Sequence, residues 1–202
     1  MNNALYRKAK FLLAAQKINQ LPATYTTEVG FAGRSNAGKS SAINTITGIH
    51  SLARTSKTPG RTQQIVYFGL DENRALVDLP GYGFAKVPLK VKEQWGKLME
   101  DYFQHRTQLK GLVLIMDVRH PMRDFDEQML LWCQHAHTPV HVLLTKADKV
   151  SKNVGSSTRM KVLSQIKEMG LEDAEVQLFS SLKRTGTEAI TNKLNTWFEV
   201  EI

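Results

Sequence analysis

Gly33-Arg34-Ser35-Asn36-Ala37-Gly38-Lys39-Ser40 is the stretch that decides the fold, because it fits the phosphate-binding pattern GxxxxGK[ST]. Gly33 and Gly38 let the backbone turn tightly and aim successive N–H groups at phosphate oxygens. Lys39 adds a point charge over the β- and γ-phosphates, and Ser40 offers a hydroxyl to Mg²⁺. Residues 41–47 read as a helix, so the phosphates would lie at a helix N-terminus, where the dipole favours anions. Upstream, Glu28 to Ala32 reads as a short strand entering the loop, and Gly48 as the stop of the helix. The alternative is a glycine-rich turn with a stray lysine, and the rest of the chain speaks against it.

The 202 residues and a hydrophobic content of 42% suit one α/β domain with a substantial core. One cysteine, Cys133, excludes an internal disulfide framework and is compatible with a reducing cytosol. No apolar run approaches the ~18 residues of a membrane span. Phe11 to Ala15 is too short and too polar-flanked for a secretory signal. The expectation is a cytoplasmic chain without membrane insertion. The formal charge of +8 fits either a polyanion partner or a generally basic soluble enzyme.

Residues 1–26 form a lead-in that packs on the domain of residues 27–202. Leu5, Phe11, Leu12, Leu13 and Ile18 there fit a helix, or a strand followed by a turn at Leu21-Pro22. Beyond the phosphate loop, residues 51–63 are polar and basic and carry a Pro-Gly turn signal, which predicts a loop. Ile65 to Leu70 and Arg74 to Asp78 read as strands joined at residues 71–73. The second ends in Asp78-Leu79-Pro80-Gly81, the DxxG pattern of GTPases. An acid there can hold Mg²⁺ through water, and Gly81 can offer its N–H to a γ-phosphate whose loss releases the loop.

Leu89 to Arg106 is an amphipathic helix, with Val91, Trp95, Leu98, Met99 and Tyr102 on one face read as core. Gly111 to Met116 is an unbroken apolar run, expected to be a strand buried on both faces, and Val140 to Leu144 is a second run read as a buried strand, with a helix at Asp124 to His135 between them. The second run leads into Thr145-Lys146-Ala147-Asp148, an [NT]KxD pattern. The Asp148 carboxylate can accept both N1–H and the exocyclic N2–H₂ of guanine, an arrangement adenine lacks. Lys146 is expected to lie along the base and brace the phosphate loop, while Thr145 departs from the commoner asparagine. Residues 151–158 read as a polar loop, followed by a helix from Met160 to Met169 stopped at Gly170. Val176 to Phe179 reads as the last strand. Thr185 to Glu188 reads as a capping box opening a final helix with Ile190, Leu194, Trp197 and Phe198 on its buried face. Alternating strands and helices without repeats or linkers predict one doubly wound, mostly parallel α/β sheet of the P-loop NTPase (Ras-like) class, with nucleotide at the C-terminal strand edge.

Three strings, GRSNAGKSS at 33–41, SLARTSKTPGRTQ at 51–63 and DLPGYGFAKV at 78–87, narrow the reading when joined to DVRHP at 117–121 and TKAD at 145–148. Over nearly its whole length the chain resembles the EngB family of bacterial ribosome-biogenesis GTPases. That resemblance implies a GTP-binding protein for assembly of the large ribosomal subunit, contacting rRNA and ribosomal proteins as a monomer, and needed for normal septum formation. Carried onto this sequence, it assigns the phosphates to Gly33, Arg34, Ser35, Asn36, Ala37, Gly38, Lys39 and Ser40, and Mg²⁺ to Ser40 and Thr62. Gly60, Arg61, Thr62, Gln63 and Gln64 are the first switch, and Asp78, Leu79, Pro80 and Gly81 the second. Thr145, Lys146, Ala147 and Asp148, with Phe179, Ser180 and Ser181, take the base of GTP or GDP. Thr58 is the rival for the switch threonine, but Pro59 restricts its backbone and the family string favours Thr62. Lys39, Thr62, Asp78 and Gly81 are the expected catalytic group.

Hydrolysis needs an in-line water, charge neutralisation and usually a residue that orients the water. Tyr82 follows Gly81 where Ras-like proteins have glutamine, which predicts slow turnover by the isolated protein. Asn36 is open to two roles: hydrogen bonding within the loop, or helping hold K⁺ beside the phosphates as in related GTPases with asparagine here. Arg54, Lys57, Arg61, Lys86, Lys90 and Lys92 lie in or beside the switches, as solvated cations or as contacts to rRNA phosphates. Cys133 and His137 at i, i+4, with His135 nearby, lack a full metal-ligand set. The competing functions are a P-loop nucleotide kinase, against which TKAD speaks, and a GTP-controlled docking module with negligible turnover. A cell-division scaffold has no sequence feature of its own.

Overall fold

The computed structural model describes residues 4–54, 64–81 and 88–200. Its strands are β1 (Lys10–Ala15), β2 (Thr27–Gly33), β3 (Ile65–Gly69), β4 (Arg74–Asp78), β5 (Leu109–Asp117), β6 (Val140–Thr145) and β7 (Glu175–Leu178). The helices between them are α1 (Lys39–Thr47), α2 (Leu89–His105), α3 (Asp124–His135), α4 (Lys152–Glu168) and α5 (Thr187–Trp197). One sheet runs in the order β1-β3-β4-β2-β5-β6-β7. β4, β2, β5, β6 and β7 are parallel, while β1 pairs antiparallel with β3 and β3 with β4. After β4 the chain crosses by way of α2 to the far side of β2, so the strand order reverses around β2. The loop leaving β2 therefore lies in the crevice where α/β sheets take ligands.

Strand alternation divides the interior in two. Leu112, Leu114 and Met116 of β5 join a core with Trp95 and Met99 of α2, Met129 and Leu130 of α3, and Val162 and Ile166 of α4. Val113 and Ile115 point the other way, to Ile43 and Ile46 of α1 and Ile190 and Leu194 of α5. Of the α2 stripe read as core, Trp95, Met99 and Tyr102 are buried, Leu98 packs half-buried against them, and Val91 is half-buried outside the core. Gly48 and Gly170 end their helices with φ of 70° and 84°, the left-handed turn that favours glycine.

Several elements depart from expectation. The ambiguous segment at residues 10–15 is a strand, the sheet's edge. Residues 152–158 are not a loop: α4 begins at Lys152, capped by the Ser151 hydroxyl, which accepts the Val154 N–H. Thr185 and Glu188 form no capping box, because Gly186 is the N-cap of α5 at φ 79° and the Thr185 backbone is hydrogen-bonded to Ser180. Trp197 is half-buried rather than buried.

At the end of β2 remote from the phosphate loop, Glu28 is fully buried. Its carboxylate accepts Arg106 Nε (3.0 Å), Arg106 Nη2 (2.5 Å) and the Tyr67 hydroxyl (3.0 Å). Arg106 also donates to the Pro22 carbonyl, fastening residues ahead of β2 to the end of α2. A buried charge is tolerated when it is paired and hydrogen-bonded in this way.

Candidate nucleotide site

The phosphate loop is shaped by close backbone approaches. A Cβ on Gly33 would lie 2.8 Å from the Ile115 carbonyl oxygen, so only glycine fits there without a shift of β5. Asn36 and Gly38 both take left-handed conformations, with φ of 63° and 98°. The Ala37 N–H closes on the Arg34 carbonyl (3.1 Å), and α1 starts at Lys39, two residues before the expected position 41. The loop thus runs directly into the first turn of α1, whose N–H groups without an intrahelical partner suit phosphate.

Lys39 joins the loop to the second motif. Its ammonium pairs with the Asp78 carboxylate and donates to the Leu79 carbonyl (2.9 Å). The Leu79 N–H reaches back to the Phe31 carbonyl (2.9 Å), and Trp95 Nε1 of α2 donates to the Pro80 carbonyl (3.0 Å). A Cβ on Gly81 would come within 2.9 Å of the Gly33 carbonyl oxygen, so Gly81 closes directly on the entrance of the phosphate loop. The Ser40 hydroxyl donates to the Arg54 carbonyl (3.2 Å). Ser40 and Asp78 thus supply hard oxygens close to Lys39, the donor chemistry that Mg²⁺ takes.

Residues 145–148 brace the loop from its other side. The buried Thr145 hydroxyl faces two carbonyls, Ala37 of the phosphate loop and Met116 (3.1 Å) of β5. Lys146, at φ 57°, donates to the Asn36 carbonyl (2.6 Å) and pairs with Asp117 Oδ2 (2.9 Å). Partial burial would raise the Asp117 carboxyl. Hydrogen bonds from Arg119 and Lys146 outweigh burial and hold it well below the usual carboxylate range. Asp148 accepts the Ser180 hydroxyl at 2.6 Å, and that bond lowers its pKa. Ser180 is itself fixed by paired backbone bonds with Thr185, 3.1 Å each way. Phe179 is buried, its N–H on the Leu144 carbonyl and its carbonyl accepting from Ala147, so β6 and the last loop form one frame around Asp148.

Gly33 to Ser40, Asp78 to Gly81, Thr145 to Asp148 and Phe179 to Ser181 therefore meet along the C-terminal edge of β2, β4, β5, β6 and β7. Gly60, Arg61, Thr62 and Gln63 lie outside the described residues, as do Lys57, Thr58, Tyr82 and Lys86. Gln64 is half-buried just ahead of β3. Three contributors were not read as such in the sequence. Asp117 anchors Lys146, Trp95 holds the DLPG turn, and the Ser180 side chain orients Asp148. The acid ending a buried strand, followed by arginine in DVR, was the one available signal for Asp117. Cys133 is fully buried, burial pushes its thiol up, and no cluster of three metal-binding side chains occurs among the described residues.

Residues 28–146 match the family described as "50S ribosome-binding GTPase". Proteins named "Probable GTP-binding protein EngB" from two strains of Coxiella burnetii are each 50% identical over 97% of this chain and 95% of their own length. A crystal structure of a probable GTP-binding protein EngB shares the fold at a TM-score of 0.67 and 23% identity, covering 87% of this chain and 100% of that one. Elongation factor SelB from Methanococcus maripaludis, solved with the GTP analogue GPPNHP, gives a TM-score of 0.61 at 16% identity over 90% of this chain and 36% of its own. With half its residues shared across nearly its whole length, and with the phosphate loop, DLPG and TKAD assembled into one site, the chain belongs to the EngB family of GTP-binding proteins.

Proposed function

We propose that this chain is a Mg²⁺-dependent GTPase switch that acts in assembly of the large ribosomal subunit. The observation that carries the switch is the contact of Lys39 with both Asp78 and the Leu79 carbonyl. A γ-phosphate approaching Lys39 competes for those bonds, so the presence of that phosphate is transmitted to DLPG. Ser40, with Asp78 beyond it, would hold Mg²⁺, joined by Thr62 on the family pattern. Bound there, the ion neutralises charge on the phosphate oxygens.

Turnover by the chain alone is slow on this reading, because Tyr82 brings no amide to orient water. On this reading Asn36 helps hold a second cation, K⁺, as a source of compensating charge, by analogy with related GTPases that have asparagine at this position. Equal turnover in K⁺ and Na⁺ would remove that part of the proposal. The ribosomal role is supported by the description of the matched family and by the +8 charge. The link to septum formation rests on the resemblance, and the cytoplasmic location on the lone cysteine and the sequence's lack of a signal-like or span-length apolar run.

The test is co-sedimentation with purified large subunits, mature and immature, at fixed salt, in GDP and in a non-hydrolysable GTP analogue. Preferential pelleting with the analogue is expected. Absence of pelleting in either nucleotide would remove the ribosomal role and leave the nucleotide site. A docking module with negligible turnover is the second reading, favoured by Tyr82. Hydrolysis that stays flat when subunits are added would select it.

A further inference from the structure

The second half of the phosphate loop is held firmly, by Thr145 on the Ala37 carbonyl and Lys146 on the Asn36 carbonyl. Among the described residues its first half has no comparable side-chain brace. Against that half lies a cavity of about 250 Å³, lined by Arg34, Asn36, Asp117, Arg119, His120 and Asp126 among others. Asp126, in the first turn of α3, is 1% exposed. Its Oδ2 accepts the Arg123 N–H (3.0 Å), but its Oδ1 has no hydrogen-bond partner among the described residues. A buried, unsatisfied carboxylate oxygen is costly, and one that persists calls for a partner.

The surrounding cations narrow the choice. Arg119 and Lys146 are both committed to Asp117. Arg123 and Glu127 lie on the helix of Asp126 itself, and burial is the main influence on its carboxyl, which is pushed up to about 6. Arg34 is the remaining cation of the phosphate loop on this cavity, and its side chain makes no ion pair among the described residues.

We propose that Asp126 is a positioning residue for the phosphate loop: its free Oδ1 receives the Arg34 guanidinium across this cavity when the loop closes on the nucleotide phosphates. The pair ties the first half of the loop to α3 as Lys146 ties the second half to β5 and β6. Asp126 touches no nucleotide. It acts through Arg34, and the inference rests on the nucleotide-binding reading of the site.

The test is the affinity for a fluorescent GTP analogue and GDP in wild type, Asp126→Asn, Arg34→Gln and the double variant. Asparagine keeps an oxygen for the Arg123 N–H, and thermal unfolding checks that each variant is folded. Each single change is expected to weaken binding roughly tenfold, the scale of coupling between charged neighbours, with the double no weaker than either single. Arg34→Lys should recover part of the loss. Wild-type affinity should fall by about tenfold in all as pH drops through about 6, a drop that Asp126→Asn lacks, because pairing favours the ionised carboxylate. Additive losses, or an Asp126→Asn chain that binds like wild type, would overturn the pairing while leaving the nucleotide site intact. A wild-type chain that bound no guanine nucleotide would overturn both.

Discussion

Replacing Thr145 with valine removes one hydroxyl and tests whether this residue serves the base or the loop. Thr145 is 2% exposed, and its single O–H faces the carbonyls of Ala37 and Met116. One hydroxyl donates to one acceptor at a time, so the variant loses about one hydrogen bond and leaves a buried carbonyl short of a donor. That loss is worth about 1–3 kcal/mol. A domain of this size moves by roughly 2–4 °C per kcal/mol, so the melting temperature should fall by roughly 4–8 °C for a central value of ~2 kcal/mol. The same change loosens the Ala37 end of the phosphate loop, so affinity for fluorescent GDP should drop several-fold. Preference for guanine over adenine should survive, because Asp148 is untouched. Thr145→Ser should restore both properties. If the valine variant melted like wild type but lost roughly a hundredfold or more in GDP affinity, the hydroxyl would be contacting nucleotide directly and the bracing role would be refuted.

Other perturbations probe separate parts of the molecule. Arg106→Met strands the fully buried Glu28 and should destabilise by about 3–5 kcal/mol in urea titrations, with a second change, Glu28→Gln, recovering much of it. Ser180→Ala removes the 2.6 Å bond that orients Asp148, and GDP titration should show a loss of about 3–10-fold with little change in melting. Asp126 has a folded pKa of about 6, above its ordinary 3.8, so the folded chain holds a proton that the unfolded chain has released between those values. Its burial penalty is absent at low pH and complete above about pH 6. Without nucleotide, Asp126→Asn should therefore gain stability near about pH 8, by up to about 3 kcal/mol, and the gain should vanish by about pH 3 in pH-resolved unfolding.

What the sequence disclosed and what it withheld divide along physical lines. The phosphate loop, DLPG and TKAD were legible because each packs its chemistry into a few consecutive residues whose spacing has one use. β5 and β6 were legible because strands covered on both faces are mostly apolar, with His141 the buried polar exception among residues 140–144. Residues 10–15 were not, since Phe11 and Leu12 fit helix or strand and only pairing with β3, far along the chain, chooses between them. The start of α4 was hidden because its first turns face solvent, with Val154 exposed. The buried position there is Gly155, whose lack of a side chain admits Leu178 of β7. The Thr185 to Glu188 pattern misled because the Ser180–Thr185 bridge claims the Thr185 backbone and leaves Gly186 to open α5. The braces of the site, from Lys146 to Asp117, Ser180 to Asp148 and Trp95 to Pro80, join residues 15 to 32 positions apart, and no local spacing encodes them.

The Trp95 contact also gives the protein a built-in optical gauge. The chain has three tryptophans, and Trp95 alone donates its indole N–H to the DLPG turn, at the Pro80 carbonyl. Its ring lies 5.4 Å from that of Trp132, while Trp197 belongs to the opposite core. Emission from an indole depends on what its N–H meets, so displacement of Pro80 alters the spectrum of one fluorophore against two quieter ones. Substituting Trp132 and Trp197 with phenylalanine would leave a single-reporter protein in which stopped-flow mixing times the proposed movement of the DLPG turn without any attached dye.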